Sequence, residues 1–199
     1  MTRRVFSVLL ALAGMLLFLP SCQSYDQLVE KDQVAQQKWA DYEAQLQRRA
    51  DLIPRLVNTV KGAANFESST LEKITQARAS AGSIKLSGDD FSDPAKVKSF
   101  EEAQAKINYN SINNMLRPSE AYPKLQASAQ FTDLMKELEG TENRILRSRE
   151  QYNEAVKDYN SELNKIRGSA VNKATGQPFK PRVYFAATSD ATAAPAVSF

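Results

Sequence analysis

The sequence predicts an all-α fold, an elongated antiparallel bundle of three to four long, coiled-coil-like helices. Two observations predict it. Apolar residues recur at steps of three and four over residues 25–63, and a second set recurs at steps of seven over residues 131–166. Such steps place side chains on one stripe of a helix, and two long stripes become buried by packing on each other.

A hydrophobic segment precedes the helices. Two arginines at positions 3 and 4 are followed by an apolar run over residues 5–19, which ends in the tetrapeptide LPSC at residues 19–22. The run is short for a membrane-spanning helix, which needs roughly 20 apolar residues. A positive start followed by a run of this length is typical of an export signal.

Three kinds of processing compete at this signal. An ordinary signal peptidase prefers small residues at the third and first positions before its cut, and Leu19 matches that preference poorly. An uncleaved membrane anchor is the second alternative. The third is that LPSC resembles the bacterial lipobox, with cleavage between Ser21 and Cys22 and a lipid on Cys22. We favour the third because it explains why the only cysteine lies there.

The first long helix begins at about residue 25. Its apolar stripe is interrupted only by Asp32 and Arg49. Pro54 lies inside the stripe and has no N–H to donate, so we expect the helix to be kinked or to restart there. The stripe consists of Tyr25, Leu28, Asp32, Ala35, Trp39, Tyr42, Leu46, Arg49, Ile53, Leu56, Val60 and Ala63.

The later elements are predicted from caps and breakers. Residues 67–81 continue as helix, and Asp93 with Pro94 begins a middle helix that ends at about residue 117. The last helix spans about residues 123–167 with an interruption at Gly140, and its stripe includes Ile166. We expect an irregular segment over residues 171–185. The predicted domains are therefore a signal peptide (1–21), a helical bundle (22–185) and a disordered Ala/Thr/Pro-rich tail (186–199).

Composition excludes several classes of function. The chain has no histidine and one cysteine, which excludes histidine-based zinc sites, Ser-His-Asp triads and internal disulfides. Without the signal, 24 of the 26 basic residues remain against 23 acidic ones. This near-neutral body has no electrostatic footprint for nucleic acid. We expect no enzyme activity, no cofactor and no metal.

Two groups of polar residues are candidates for function. Arg48, Arg49, Asp51 and Arg55 surround Pro54, and Asp51 can pair with Arg55 four residues later. In one interpretation, these residues contact a partner or an anion. In the other, Asp51 and Arg55 are a solvated pair that fixes the kink, and Arg49 faces a polar layer of the bundle.

The second group repeats at seven residues. It comprises Tyr152 with Asn153 and Tyr159 with Asn160. Buried hydroxyl and amide groups need partners, and they can fix the register of packed helices. We expect these four residues to specify the register of the core, and a ligand site is the alternative.

Several segments resemble the LemA family. They are QRRADLIPRLV at residues 47–57, VKG at 60–62, EAYPKL at 120–125, ENRI at 142–145 and the two Tyr-Asn pairs. The resemblance implies a membrane-tethered helical bundle outside the cytoplasmic membrane, and it implies no particular chemistry. The chain departs from the family pattern in its lipobox, where a membrane helix is common, and in Arg167-Gly168, where an aromatic-proline pair is common.

These observations together predict a lipid-anchored protein of the cell envelope. It would be held at the cell membrane or outer membrane through Cys22, with its body facing the periplasm or the exterior. It would act non-enzymatically as an interaction or scaffold module that binds an envelope protein or itself. The alternative is a protein that binds a small ligand or cell-wall fragment in a cleft near Pro54.

Overall fold

The computed structural model describes residues 2–63, 67–116 and 123–186, without the side chains of residues 2–23, 63, 123 and 126. The predicted cleavage and lipid-attachment side chains of Ser21 and Cys22 therefore lie outside the described part. So does the predicted tail beyond Ala186.

The described chain is helical and contains no strand, which confirms the predicted all-α class. A 3₁₀ turn at Gly88–Ser92 lies between α2 and α3. The helices are α1 (Thr2–Ala63), α2 (Ser68–Ser83), α3 (Pro94–Ala105), α4 (Tyr109–Leu116), α5 (Pro123–Gln126), α6 (Ala129–Asn164) and α7 (Ile166–Ala174).

The chain divides into two compact units. Unit 1 comprises Met1–Asp51 and Glu139–Arg182, and unit 2 comprises Leu52–Leu138 and Val183–Phe199. Two of the three boundaries fall inside helices, so α1 and α6 each contribute one part to unit 1 and another part to unit 2, and the third boundary follows Arg182.

In unit 1, α1 and α6 run antiparallel. Lys31 pairs with Asp158 at 3.5 Å, whereas Arg49, further along α1, pairs with Glu142, which comes earlier in α6. Aromatic residues fill the space between them, with ring centroids of Trp39 and Tyr152 5.7 Å apart. The other large buried apolar residues described in this unit are Leu28, Tyr42, Leu46, Ile145, Val156, Tyr159 and Leu163.

In unit 2, the remaining parts of α1 and α6 pack with α2 and α4 around an aliphatic core. Asp93 begins α3 as predicted, since its carboxylate accepts hydrogen bonds from the backbone N–H groups of Ala95 and Lys96. The core comprises Leu52, Ile53, Leu56, Val60, Leu71, Ile74, Ala81, Ile107, Ile112, Leu116, Leu125, Leu134 and Leu138.

The structure corrects several predicted details. The predicted last helix is divided into α5 and α6 at residues 127–128, and the segment predicted as irregular from residue 171 is helical up to Ala174. Helix α1 does not restart at Pro54, and α6 is not interrupted at Gly140. The predicted middle helix is divided into α3 and α4 by a turn at residues 106–108. Ile166 is not on the buried stripe, because α6 ends at Asn164 and the side chain of Ile166 is 91% exposed.

Candidate functional site

Arg49 is a charged residue in the interior of unit 1. Its side chain is 2% exposed, and its Nη1 donates a hydrogen bond to Oε2 of Glu142 at 3.1 Å. The side chain of Glu142 is 18% exposed. A buried charge is stable only with its partner, so this ion pair ties α1 to α6 at one register.

The three other residues predicted around Pro54 are exposed. Arg48 and Asp51 belong to unit 1, where Asp51 accepts a hydrogen bond from Gln47 at 2.7 Å. Arg55 belongs to unit 2 and forms an ion pair with Glu137 at 3.7 Å. Asp51 and Arg55 therefore take other partners instead of the predicted pairing with each other.

A polar cleft of about 510 Å³ lies in unit 2 beside Arg55. Amide, hydroxyl and guanidinium groups line it, and Gly62 leaves room at one wall. Its described lining residues are Arg55, Asn58, Thr59, Gly62, Ser128 and Gln130. The cleft offers hydrogen-bond donors and acceptors with one cation, which suits a small polar or anionic molecule.

Two asparagines hold an extended segment of unit 1, residues 179–182, which we call the strap. The amide of Asn160 donates to the carbonyl of Arg182 at 2.8 Å and accepts from its N–H at 2.9 Å. Asn172 makes the same pair of bonds to Phe179, at 2.9 and 3.1 Å. Each amide thereby satisfies both backbone groups of one strap residue, as a neighbouring β-strand would.

The strap also places the guanidinium of Arg182, its last residue, in a polar cluster of unit 1. The hydroxyl of Tyr159 donates to the carbonyl of Lys180 at 2.9 Å. The guanidinium of Arg182 lies 5.6 Å from the centre of the Tyr159 ring and donates to Asp32 at 2.8 Å. Asp32, the acidic interruption in the first apolar stripe, is therefore paired by a residue 150 positions away.

The surroundings of this cluster shift three pKa values. Burial raises the pKa of Tyr159 to about 12, with the negative charge of Asp32 acting in the same direction. Burial also raises the pKa of Tyr152, against the opposing charge of Arg182. For Arg182, burial lowers the pKa, but the hydrogen bond and charge of Asp32 outweigh it, so that pKa is raised overall. The cluster is thus held as two neutral phenols and one ion pair at neutral pH.

The four residues predicted to set the register lie at different depths. Tyr152 and Tyr159 are buried, while Asn153 and Asn160 are half-buried. The structure assigns Tyr159 and Asn160 a specific task, which is to hold the strap. Tyr152 packs its ring against Trp39. Their role in helix register remains a prediction.

The described residues contain no cluster of three or more acidic or cysteine side chains placed to hold a metal ion. Among the residues whose side chains are described, no helix contains an apolar stretch long enough to cross a membrane.

Comparison with known proteins places the chain in a family. The model of the LemA family matches residues 38–199. The chain belongs to the LemA family. The matched residues include the later part of α1 from Lys38 onward, all later helices and the strap, and they begin after Cys22.

Individual relatives share moderate identity with this chain. Protein LemA of Metamycoplasma hominis is 30% identical over 121 residues, covering 60% of this chain and 50% of that protein. Magnetosome proteins MamQ 1 and MamQ 2 of Paramagnetospirillum magneticum are each 26% identical over 176 residues, covering 81% of this chain and 64% of each protein. The chain thus spans between half and two thirds of the length of these relatives. The matches indicate a membrane-associated helical protein.

Sequence analysis of this LemA-family chain missed Arg182 and Asn172. One signal pointed to the first of them, because Asp32 interrupts an apolar stripe and a buried carboxylate needs a partner. No spacing rule identifies a partner 150 residues away. Asn172 carried no signal, since a single asparagine near a helix end is a common capping or turn residue.

Proposed function

We propose that this LemA-family chain is a lipid-anchored protein of the cell envelope that acts non-enzymatically as an interaction or scaffold module. The observation that carries the proposal is the position of the only cysteine, at the end of an export-type apolar run and just before the folded body. Acyl chains on Cys22 would hold unit 1 at the cell membrane or outer membrane, with the body in the periplasm or outside the cell.

Two ion pairs in unit 1 support a structural, non-catalytic role for its charged side chains. Arg49 is paired with Glu142, and Arg182 is paired with Asp32. Each ion pair joins segments distant in the sequence, and each fixes a packing arrangement. These four charged groups are engaged in holding the fold.

Exposed charged residues on α1 are the proposed partner-binding positions. Arg48, Asp51 and Arg55 point to solvent in their own units. Charged side chains at the rim of an interface guide the approach of a partner and select between partners. The partner would be another envelope protein or a second copy of this chain.

Site-specific photocrosslinking in intact cells tests this proposal. A photoreactive residue is placed at position 48 or 51 in the full chain, with a matched probe at Glu43, which is also exposed on α1. We expect one reproducible adduct from positions 48 and 51 and none from position 43. Equal adducts from all three positions, or none from any, would contradict an interaction surface there.

The anchor has its own test. Cys22→Ala should abolish labelling by radioactive palmitate and move the chain out of the membrane fraction, because the thiol is the proposed attachment atom. An exposed substitution such as Glu43→Ala is the control and should change neither. Unchanged palmitate labelling in the Cys22 variant would exclude lipidation at this residue.

The cleft beside Arg55 supports a second candidate function, binding of a small polar ligand or cell-wall fragment. It predicts that muropeptides raise the melting temperature of the full chain. Arg55→Ala and Asn58→Ala should remove that shift, whereas Arg48→Ala, outside the cleft lining, should preserve it. A scaffold with no ligand predicts no shift in any of these proteins.

A further inference from the structure

Ile166 is an exposed apolar side chain at the corner between α6 and α7. It is 91% exposed, compared with 37% to 48% for Tyr25, Val34 and Tyr184, the other large apolar residues exposed in the described chain. A single exposed isoleucine is common on protein surfaces. Ile166 is informative because of three further features, which are the backbone of the corner, its place in unit 1 and the basic residues beside it.

The backbone holds Ile166 outward. Lys165, between the two helices, has φ −61° and ψ 150°, and its N–H donates to the carbonyl of Glu162 at 3.2 Å. The N–H of Ser169 donates back to the carbonyl of Lys165 at 2.8 Å. Gly168 packs so closely that a Cβ there would clash with the carbonyl oxygen of Glu162. The corner is therefore a tight, defined turn.

The corner lies beside the beginning of the folded body. A cleft of about 560 Å³ in unit 1 is lined by Ser24 and Gln27 of α1 together with residues 162 and 164–167. Ser24 follows the proposed lipid-bearing Cys22 by two residues, which is about 3 Å along a helix axis. The corner is thus at the end of unit 1 that the anchor would hold against the bilayer.

Basic residues flank the isoleucine on both sides. Lys165 pairs with Glu162 at 2.7 Å but keeps 65% of its side chain exposed. Arg167 is exposed and has no ion pair within the described residues. An apolar side chain between two cations suits the interface of an anionic membrane, where the cations lie among headgroups and the apolar group enters the acyl boundary.

We propose that the corner Lys165–Arg167 is a second membrane contact, inserting Ile166 into the bilayer that holds Cys22. This inference rests on the proposed anchoring at Cys22. One tether leaves a body free to rotate about its attachment point. A second contact beside the tether fixes the orientation of unit 1 on the membrane surface.

An environment-sensitive fluorophore tests the contact in the full lipidated chain. Cys22 is blocked by acylation, so Ile166→Cys gives one reactive thiol for labelling. Lys157→Cys gives the matched control, because Lys157 is exposed on α6, eight residues before the corner and about 12 Å from it along the helix. Both proteins are reconstituted into phosphatidylcholine vesicles, with or without phosphatidylglycerol, and flotation reports anchoring independently.

We expect a blue shift at position 166 and about two-fold or stronger quenching by bilayer nitroxides compared with position 157. Phosphatidylglycerol should strengthen the quenching, and adding Lys165→Gln and Arg167→Gln should remove that gain. Vesicles that float the protein while both labels remain in water would overturn the second contact and leave the anchor intact. Failure to float would overturn the anchor, and the contact with it. A blue shift that depends on protein concentration without vesicles would assign the corner to self-association instead.

Discussion

At the scale of single residues, the buried ion pair gives the sharpest test of what holds unit 1 together. Glu142→Gln leaves the guanidinium of Arg49, 2% exposed, without its anion, and we expect a loss of about 2–4 kcal/mol in the free energy of unfolding. Arg49→Met should cost less, because the partly exposed carboxylate can turn to water. Urea denaturation of both variants measures the difference.

The control for this pair is the ion pair of Arg55 and Glu137, whose side chains are 64% and 36% exposed. Arg55→Met should change stability by less than about 1 kcal/mol, because solvent screens the exposed pair. An equal loss from Arg55→Met and Glu142→Gln would show that burial of Arg49 is not what makes its pair important.

Asn160 makes two hydrogen bonds to the backbone of Arg182 in the strap. Replacing Asn160 should therefore weaken the attachment of the strap in a way that can be measured locally. Asn160→Ala removes both bonds and should cost about 1–3 kcal/mol. It should also speed trypsin cleavage after Arg182 in the native protein. Asn164→Ala, an exposed position on the same helix, is the control. Equal cleavage rates in both variants would contradict the assigned role of Asn160.

Tyr159 predicts a pH dependence at the alkaline end. Its pKa is raised from 10.0 to about 12 in the folded chain, chiefly by burial. Between these two values the unfolded chain loses the phenolic proton and the folded chain keeps it, so stability falls as pH rises from 10 to 12. In Tyr159→Phe this part of the decline should disappear in denaturation series. An unchanged slope would mean that Tyr159 ionises equally in both states.

The polar cluster also shows where single-residue prediction stops. The steps of three, four and seven predicted the burial of Leu28, Tyr152 and Tyr159, because periodicity depends only on local helical geometry. The pairing of Asp32 and Asn160 with Arg182 was not predictable, since Arg182 lies in the strap, which has no periodic pattern. Apolar periodicity predicts which face of a helix is buried, but it does not predict which distant segment of the chain packs on that face.

At the scale of helices, two glycines should respond in opposite directions to the same substitution. A Cβ at Gly140, inside α6, meets nothing within 4 Å, so Gly140→Ala should stabilise the chain by about 0.5–1 kcal/mol. Gly168→Ala should destabilise it, because the new methyl group clashes with the backbone of Glu162. Thermal unfolding compares the two directly. A loss of stability in both variants would contradict the open space described at Gly140.

The same positions explain why helix ends were partly mispredicted. Gly140 and Pro54 are helix breakers by intrinsic propensity, at about 1 and 3 kcal/mol relative to alanine. Burial of Ile53, Leu138 and Ile145 around them outweighs that preference, and both helices continue. The end of α6 at Asn164 has no comparable breaker before Gly168. The seven-residue stripe was therefore extended wrongly to Ile166.

At the scale of the whole molecule, the resemblance to the LemA family predicted from short segments is confirmed over residues 38–199. The division into two units was not predicted, because two of its boundaries lie inside helices whose apolar stripes continue across them. Pro54 and Gly140 nonetheless lie within three residues of those boundaries. These two residues, which favour helix ends but do not end a helix here, therefore coincide with the change from one unit to the other.

The processing of the N-terminus decides how the whole molecule is attached, and the three alternatives predict different masses for the mature chain. Lipobox processing removes residues 1–21 and adds acyl groups to a chain that begins at Cys22. Ordinary cleavage removes a signal without adding lipid, and an uncleaved anchor retains the apolar run at residues 5–19. Intact-mass spectrometry of the purified membrane form should show the first outcome. Cys22→Ser should yield no acylated species, with an unchanged helical circular dichroism spectrum of the body, because the described cores contain no cysteine. An unacylated wild-type chain that retains residues 1–21 would contradict lipidation and show that the apolar run is an uncleaved anchor.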